Sequence, residues 1–298
     1  MSAAVEATLI KGAGPAAEIR AGVRERIQKV VSRGVRPALA VVTVGEPPAG
    51  NPYVRSKCRA AEEIGARARV ERLPAEADEA LVHRTLRGLS EDPGIHGIIL
   101  QMPLPKHLSD DRFLEDVDPR KDVDGVHPLN VGLWVNGLPA HRPATPLGVI
   151  ELLRRHAGEL SGRGVVVIGR SRIVGRPLSV LLSQRAPGLD ATVTLCHTGT
   201  RNLRDVARTA EILIVAMGKR RAITAADVRP GAIVIDVGIH PIENPAPGAP
   251  RYEGDVDFES VRGVASALTP VPGGVGPMTV ALLLRNFADA VEAIEGAD

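Results

Sequence analysis

The chain is poor in aromatic residues, in cysteine and in unbalanced charge. Phe, Trp and Tyr make up 2% of its 298 residues, so aliphatic side chains must fill any core. The few aromatics in polar surroundings, Tyr53 above all, therefore invite a functional reading. Two cysteines, Cys58 and Cys196, exclude a disulfide framework and fit a reducing compartment. Each reads as a small buried hydrophobe rather than a nucleophile. The 37 Lys and Arg nearly balance 35 Asp and Glu, so no basic face calls for nucleic acid or an anionic membrane. No segment approaches a membrane span. Residues 1–7 have neither the charged region nor the apolar run of a signal peptide, which makes the expected location cytoplasmic. His127, His141 and His197 fit no metal spacing and read as structural or solvated, and the acids at 122 and 124 have too few oxygen neighbours for a cation loop. No metal is expected.

What is present is alternation. Residues 15–33 carry apolar positions at helical spacing up to Gly34. Residues 37–44 read as a buried strand, 45–52 as a loop, 53–64 as a helix, 67–73 as a strand, 78–89 as a helix and 95–101 as a strand. Residues 106–147 show no clear period and are rich in Asp, Pro, Gly and His, which marks a functional stretch or a domain joint. Thr145 and Pro146 then open a helix to about residue 157, with Thr145 as its cap. Strands follow near 164–168, 191–196, 211–216, 232–237 and 263–268, then a rigid loop over 270–277 and a last helix over 278–295. Strand–helix alternation implies parallel sheets covered by helices, with ligands at the carboxyl ends of the strands.

The centre of the pattern is Gly164-Val-Val-Val-Ile-Gly-Arg-Ser-Arg-Ile-Val-Gly-Arg-Pro177. A β-branched strand runs into a glycine turn and a helix start, where exposed N–H groups attract phosphate. The spacing is not G-x-G-x-x-G, so the glycines alone also fit a turn that serves only packing. The next strand ends in His197-Thr-Gly-Thr-Arg201. A cofactor with a free ribose 2′-OH usually meets an acid at this point. None is present, while Arg170, Thr198 and Arg201 offer the donors that a 2′-phosphate takes, so NADP is expected over NAD.

In the first half, Tyr53 and Lys57 share a helix face at the rim of the crevice. Lys57 can donate to a substrate or exchange protons, although most lysines in such positions are simply solvated. Gln101 ends an apolar strand, and a buried amide there needs a partner such as a lysine ammonium. Lys121-Asp-Val-Asp-Gly125 offers two carboxylates. They are either solvated turn acids or a group that accepts paired N–H donors from a ligand.

Six stretches, in this order, resemble the bifunctional 5,10-methylenetetrahydrofolate dehydrogenase/5,10-methenyltetrahydrofolate cyclohydrolase family: Tyr53-Val-Arg-Ser-Lys57, Gln101-Met-Pro-Leu-Pro105, Lys121-Asp-Val-Asp-Gly-Val-His-Pro-Leu-Asn-Val-Gly132, Gly169-Arg-Ser-Arg-Ile-Val-Gly-Arg-Pro177, Ile235-Asp-Val-Gly238 and Thr269-Pro-Val-Pro-Gly-Gly-Val-Gly-Pro-Met-Thr279. The resemblance implies an α/β chain with a parallel-sheet substrate domain (1–144 and 277–298) and a Rossmann-type NADP-binding domain (145–276), the last helix packing back on the first domain. It places the folate between the domains and implies a homodimer. It implies that Lys57 is the catalytic lysine, Tyr53 stacks on the folate, Gln101 holds and tunes Lys57, and Asp124 anchors the pterin. Pro272, Gly273, Gly276 and Thr279 would line the folate side. Gly169, Arg170, Ser171, Val174, Gly175, Pro177, Thr198, Arg201, Val237, Gly238 and Ile239 would bind the cofactor. The implied reactions are oxidation of methylenetetrahydrofolate with NADP, then hydrolysis of the methenyl product to 10-formyltetrahydrofolate. Three positions depart from the family pattern: Gly50 stands where a Ser is usual, Ala144 where a Cys is frequent, and Pro52 precedes the Tyr. Loss of the Ser hydroxyl predicts a looser loop beside Lys57, weakening hydrolysis more than oxidation. The alternatives are a dehydrogenase with weak or absent cyclohydrolase activity, a dehydrogenase of another small carboxylic acid, and a non-enzymatic dinucleotide sensor.

Overall fold

Short strands pair into two parallel sheets, each in its own unit of the chain. The computed structural model describes residues 6–45, 52–108, 112–243 and 251–296. One unit comprises Ala16–Ala144 and Val280–Asp298, the other Met1–Pro15 and Thr145–Thr279.

The chain opens with β1 (Thr8–Leu9) and α1 (Ala13–Ser32). The first unit then runs through β2 (Ala38–Val44), α2 (Pro52–Glu63), β3 (Arg67–Leu73), α3 (Glu79–Glu91) and β4 (Gly97–Leu100). Its sheet has the order β3-β2-β4, parallel throughout. All seven residues of β2 are buried, as the central strand of a sheet covered on both faces must be. Asp78 is not the first helical residue but the cap, its carboxylate accepting from Leu81 N at 2.7 Å. The stretch with no sequence period contains a 3-10 turn (Phe113–Asp116) and α4 (Pro128–Val135). α4 starts on Pro128, with the His127 ring accepting from Leu129 N at 3.0 Å.

α5 (Ala144–Ala157) starts at Ala144, so Thr145 lies inside the first turn instead of capping it. The second unit continues with β5 (Gly164–Ile168), α6 (Gly175–Ser183), β6 (Thr192–Cys196), α7 (Leu203–Ala207), β7 (Ile212–Val215), β8 (Ile233–Asp236), β9 (His240–Pro241), β10 (Tyr252–Glu253), α8 (Phe258–Arg262), β11 (Ala267–Leu268) and α9 (Val275–Glu295). Six strands form a parallel sheet in the order β1-β11-β8-β7-β5-β6, and β9 and β10 form a separate antiparallel pair. β1 pairs with β11, Thr8 opposite Ala267, which draws residues up to 15 into this unit and not into the first, where the sequence boundaries had them. Its core is aliphatic, with Val166, Ile168, Leu213, Val215, Val234 and Leu268 buried in one cluster.

From Val280 onward α9 packs in the first unit. Arg26 pairs with Asp289 and Glu292, both at 2.6 Å, and Asn286 Nδ2 donates to the carbonyls of Val123 (2.9 Å) and Arg142 (2.8 Å). Among the described residues no helix is long and apolar enough to cross a membrane.

Candidate active site and dinucleotide site

In the first unit, α2, the end of β4 and the loop after residue 120 bring three of the expected residues together. Lys57 sits on α2 with its side chain 14% exposed. Its Nζ donates to Gln101 Oε1 at 3.3 Å and stands 3.8 Å from Asp124 Oδ2. Gln101 follows β4, and its Nε2 donates to the Met102 carbonyl at 2.8 Å. That bond occupies the amide's donor end and leaves its oxygen facing the lysine. Tyr53 lies one helical turn before Lys57, on the same side of the helix, and is 45% exposed. Pro52 is the first residue of α2, where a missing N–H is tolerated, so this departure is compatible with the helix. Gly50 falls outside the described residues.

The two carboxylates at 122 and 124 have separate tasks. Asp122 is buried and accepts from Gly125 N (3.1 Å), His127 N (2.8 Å) and Asn130 Nδ2 (2.9 Å). Burial pushes its carboxyl above the usual carboxylate range. It is therefore an internal brace and not a solvated turn acid. Gly125 has φ +70°, and a Cβ there would run into the Arg142 backbone. Asp124 thus projects toward Lys57 from a backbone pinned on both sides. Lys121 Nζ binds the carbonyls of Ser90 (2.7 Å) and Asp92 (2.8 Å), and its role is structural.

In the second unit, the turn after β5 is built by close backbone approach. A Cβ on Gly169 (φ +125°) would strike the Ala216 carbonyl, and one on Gly175 would strike the Gly169 carbonyl. Only glycines let the start of α6 close on the end of β5 in this way. Ser171 Oγ accepts from Val174 N (3.1 Å) and Gly175 N (3.4 Å), and Pro177 is buried within the first turn of α6. Arg170 is exposed beside this turn. After β6, Thr200 Oγ1 accepts from His197 N (2.9 Å) and His197 Nδ1 accepts from Gly199 N (3.0 Å), a tight turn that leaves Thr198 and Arg201 exposed. Cys196 is buried, and burial raises its thiol. The cradle and the donor set fit a dinucleotide with a 2′-phosphate. Pro272, Gly273 (φ +109°), Gly276 and Thr279 belong to this unit, in the turn from β11 into α9; the Thr279 and Thr145 hydroxyls are 3.1 Å apart. Ala144 is a buried small residue at the start of α5.

Two functional candidates escaped the sequence reading. Asp236, at the end of β8, accepts from Gly238 N (2.9 Å), Asp255 N (3.0 Å) and Val256 N (2.9 Å). Burial, with the Asp255 charge adding to it, pushes its carboxyl up to about 7. Asp255 is fully buried and accepts from Met217 N, Gly218 N and Lys219 N and from His240 Nε2. No local signal marks Asp255, because its donors lie far off in sequence, in residues 217–219 and 240. Val237, Gly238 and Ile239 lie between the two acids and their partners. Among the described residues no group of three or more His, Cys, Asp or Glu is placed to hold a metal.

The profile of the tetrahydrofolate dehydrogenase/cyclohydrolase catalytic domain matches residues 10–124, and that of the corresponding NAD(P)-binding domain matches residues 143–295. The bifunctional protein FolD of Treponema pallidum is 49% identical over 98% of this chain and 93% of its own length. Among solved structures, the bifunctional enzyme FolD of Campylobacter jejuni superposes with a TM-score of 0.88 at 41% identity, over 96% of this chain and 99% of its own. The Trypanosoma brucei enzyme, solved with NADP and an inhibitor, gives 0.89 at 35% identity, over 98% and 99%.

Proposed function

Since the chain belongs to the tetrahydrofolate dehydrogenase/cyclohydrolase family and is a bifunctional enzyme of one-carbon metabolism, we propose how its residues divide the two reactions and which dinucleotide it takes. It oxidises 5,10-methylenetetrahydrofolate with NADP+ and hydrolyses the resulting 5,10-methenyltetrahydrofolate to 10-formyltetrahydrofolate. These are the activities classified EC 1.5.1.5 and EC 3.5.4.9.

The observation that carries the hydrolytic half is the Lys57 Nζ–Gln101 Oε1 pairing, with Asp124 on the same amine. Hydration of the methenyl carbon releases a proton from water and later delivers one to the departing ring nitrogen. Lys57 is the group that moves it. Gln101 fixes the amine without adding charge. Asp124 accepts the paired N–H donors of the pterin, and Tyr53 stacks on its ring. Pro272, Gly273, Gly276 and Thr279 complete the folate side. Gly169, Arg170, Ser171, Val174, Gly175 and Pro177 receive the pyrophosphate, Thr198 and Arg201 the 2′-phosphate, and residues 237–239 the remainder. NADP+ supplies the hydride acceptor. The trypanosomal relative solved with NADP supports this choice. The family resemblance supports a homodimer acting in the cytoplasm, with residues 1–144 and 277–298 as the catalytic domain and 145–276 as the dinucleotide domain, apart from the first residues, which pair with the second sheet.

One assay tests the reading: NADPH formation and methenyl decay followed together. Lys57→Met should lower hydrolysis of added methenyltetrahydrofolate at least ~100-fold while NADPH binding stays intact. Undiminished hydrolysis by that variant removes Lys57 from its role. Faster turnover with NAD than with NADP removes the 2′-phosphate reading of Arg170, Thr198 and Arg201.

A further inference from the structure

The hydrogen-bond network around Asp255 has no part in the chemistry above. It joins two loops that follow neighbouring strands of the second sheet. The Asp255 carboxylate is fully buried. Its Oδ2 accepts from Met217 N at 2.6 Å and Gly218 N at 3.0 Å, and its Oδ1 from Lys219 N at 2.9 Å and His240 Nε2 at 2.7 Å. Three consecutive N–H groups curled round one anion form a nest, a concavity that elsewhere captures external anions. Here the chain fills it with its own side chain. The loop so curled begins at Ala216, whose carbonyl is the surface against which Gly169 closes. The loop after β8 is held from the same centre, because Asp236 binds both Gly238 N and Asp255 N, and Gly238 has no room for a Cβ beside Asp255.

We propose that Asp255, with His240, is a positioning residue that holds the loops after β7 and β8 in the shape that receives the nicotinamide half of the dinucleotide. This rests on the dinucleotide reading above. The half is assigned by strand order. In β1-β11-β8-β7-β5-β6 the phosphate turn follows β5 and the 2′-phosphate turn follows β6. The loops after β7 and β8 lie on the opposite side of the phosphate turn from the adenosine end, where a doubly wound sheet seats the second nucleotide. An anion is required because four donors converge on one buried point; a neutral amide there turns a donor of its own toward them. Among the described residues, the His240 imidazole donates to this carboxylate from a side chain, and the Asp236 carboxylate accepts from the Asp255 N–H.

The test is Asp255→Asn, with His240→Ala and His240→Gln beside it. In Asp255→Asn, KM for NADP+ should rise about tenfold or more while kcat changes less than about threefold. Inhibition by adenosine 2′,5′-bisphosphate, which carries only the adenosine half, should stay within about twofold of the parent. Hydrolysis of added methenyltetrahydrofolate should be equally unaffected. His240→Ala should give a smaller rise in KM, and His240→Gln, which can still donate to Asp255, should restore it. If Asp255→Asn does not fold, the His240 pair decides. An unchanged KM for NADP+ in folded Asp255→Asn or in His240→Ala overturns the proposal. So does an equal loss of affinity for adenosine 2′,5′-bisphosphate, or a failure of His240→Gln to rescue. A parent enzyme that does not bind NADPH in a fluorescence titration would instead sink the dinucleotide reading itself, leaving the two failures distinct.

Discussion

Lys57 Nζ donates to Gln101 Oε1 at 3.3 Å and stands 3.8 Å from Asp124 Oδ2, an ion-pair distance and not a hydrogen bond, so its amine is placed by one amide oxygen and one nearby carboxylate. Asp236 makes the opposite kind of site, an acid surrounded by protein. Its carboxyl is raised from 3.8 to about 7, so the folded chain holds a proton there that the unfolded chain releases. The stability this proton contributes is complete below about pH 4 and is lost as pH rises through about 7. At 1.36 kcal/mol per unit, the folded state should weaken by about 3 kcal/mol between about pH 5 and pH 8 on this account. Denaturant unfolding across that range tests it: Asp236→Asn should flatten the slope, and parallel curves for parent and variant would show that Asp236 does not titrate there. Lys57 and Gln101 were legible in the sequence because a helix face and a strand end fix where such side chains must emerge. Asp122 and Asp124 were not separable, since two acids in one short turn differ only in which of them the surrounding N–H groups enclose. Asp255 was invisible for the same reason. Its donors lie in residues 217–219 and 240, and nothing local announces them.

Among the elements, strands were found where β-branched runs are continuous, as in β2 and β5, because full burial on both faces selects such runs. The long aperiodic stretch concealed α4. Eight residues, one of them Gly132, give too few turns for a period to show, and the helix rests on its Pro128 start and His127 cap. β1 and β11 were missed or overextended because only two residues of each pair with a neighbour. The start of α6 is the element most exposed to a single change. A Cβ at Gly175 meets the Gly169 carbonyl, and backbone overpacking of this kind costs about 1–3 kcal/mol. Gly175→Ala should therefore lower kcat/KM for NADP+ by about 10- to 100-fold, while hydrolysis of added methenyltetrahydrofolate persists. Steady-state assays of both activities on one preparation check this, and parallel loss of both would count against a separate dinucleotide turn.

Over the whole molecule the chain reverses the simple order that its motifs suggest. Its first residues pair into the sheet of the second unit through β1, and its last helix returns to the first. The return of the last helix was an expectation of the resemblance, and the crossing of β1 was not, since a two-residue strand carries no pattern. The consequence is that the loop bearing Asp124 is held by residues from the far end of the sequence. Asn286 donates one hydrogen to the Val123 carbonyl and the other to the Arg142 carbonyl, and Phe287 fills the space beside Gly97, where a Cβ would collide with it. Asn286→Ala removes the donor to one buried carbonyl (Val123) and one part-buried carbonyl (Arg142), the buried loss alone costing about 1–3 kcal/mol. The variant should lose about 2–4 kcal/mol of stability. Because the freed Val123 carbonyl adjoins Asp124, hydrolysis should fall further than oxidation when both are measured well below the melting temperature. If stability drops but the ratio of the two activities stays at the parent value, α9 fastens the fold without reaching the site.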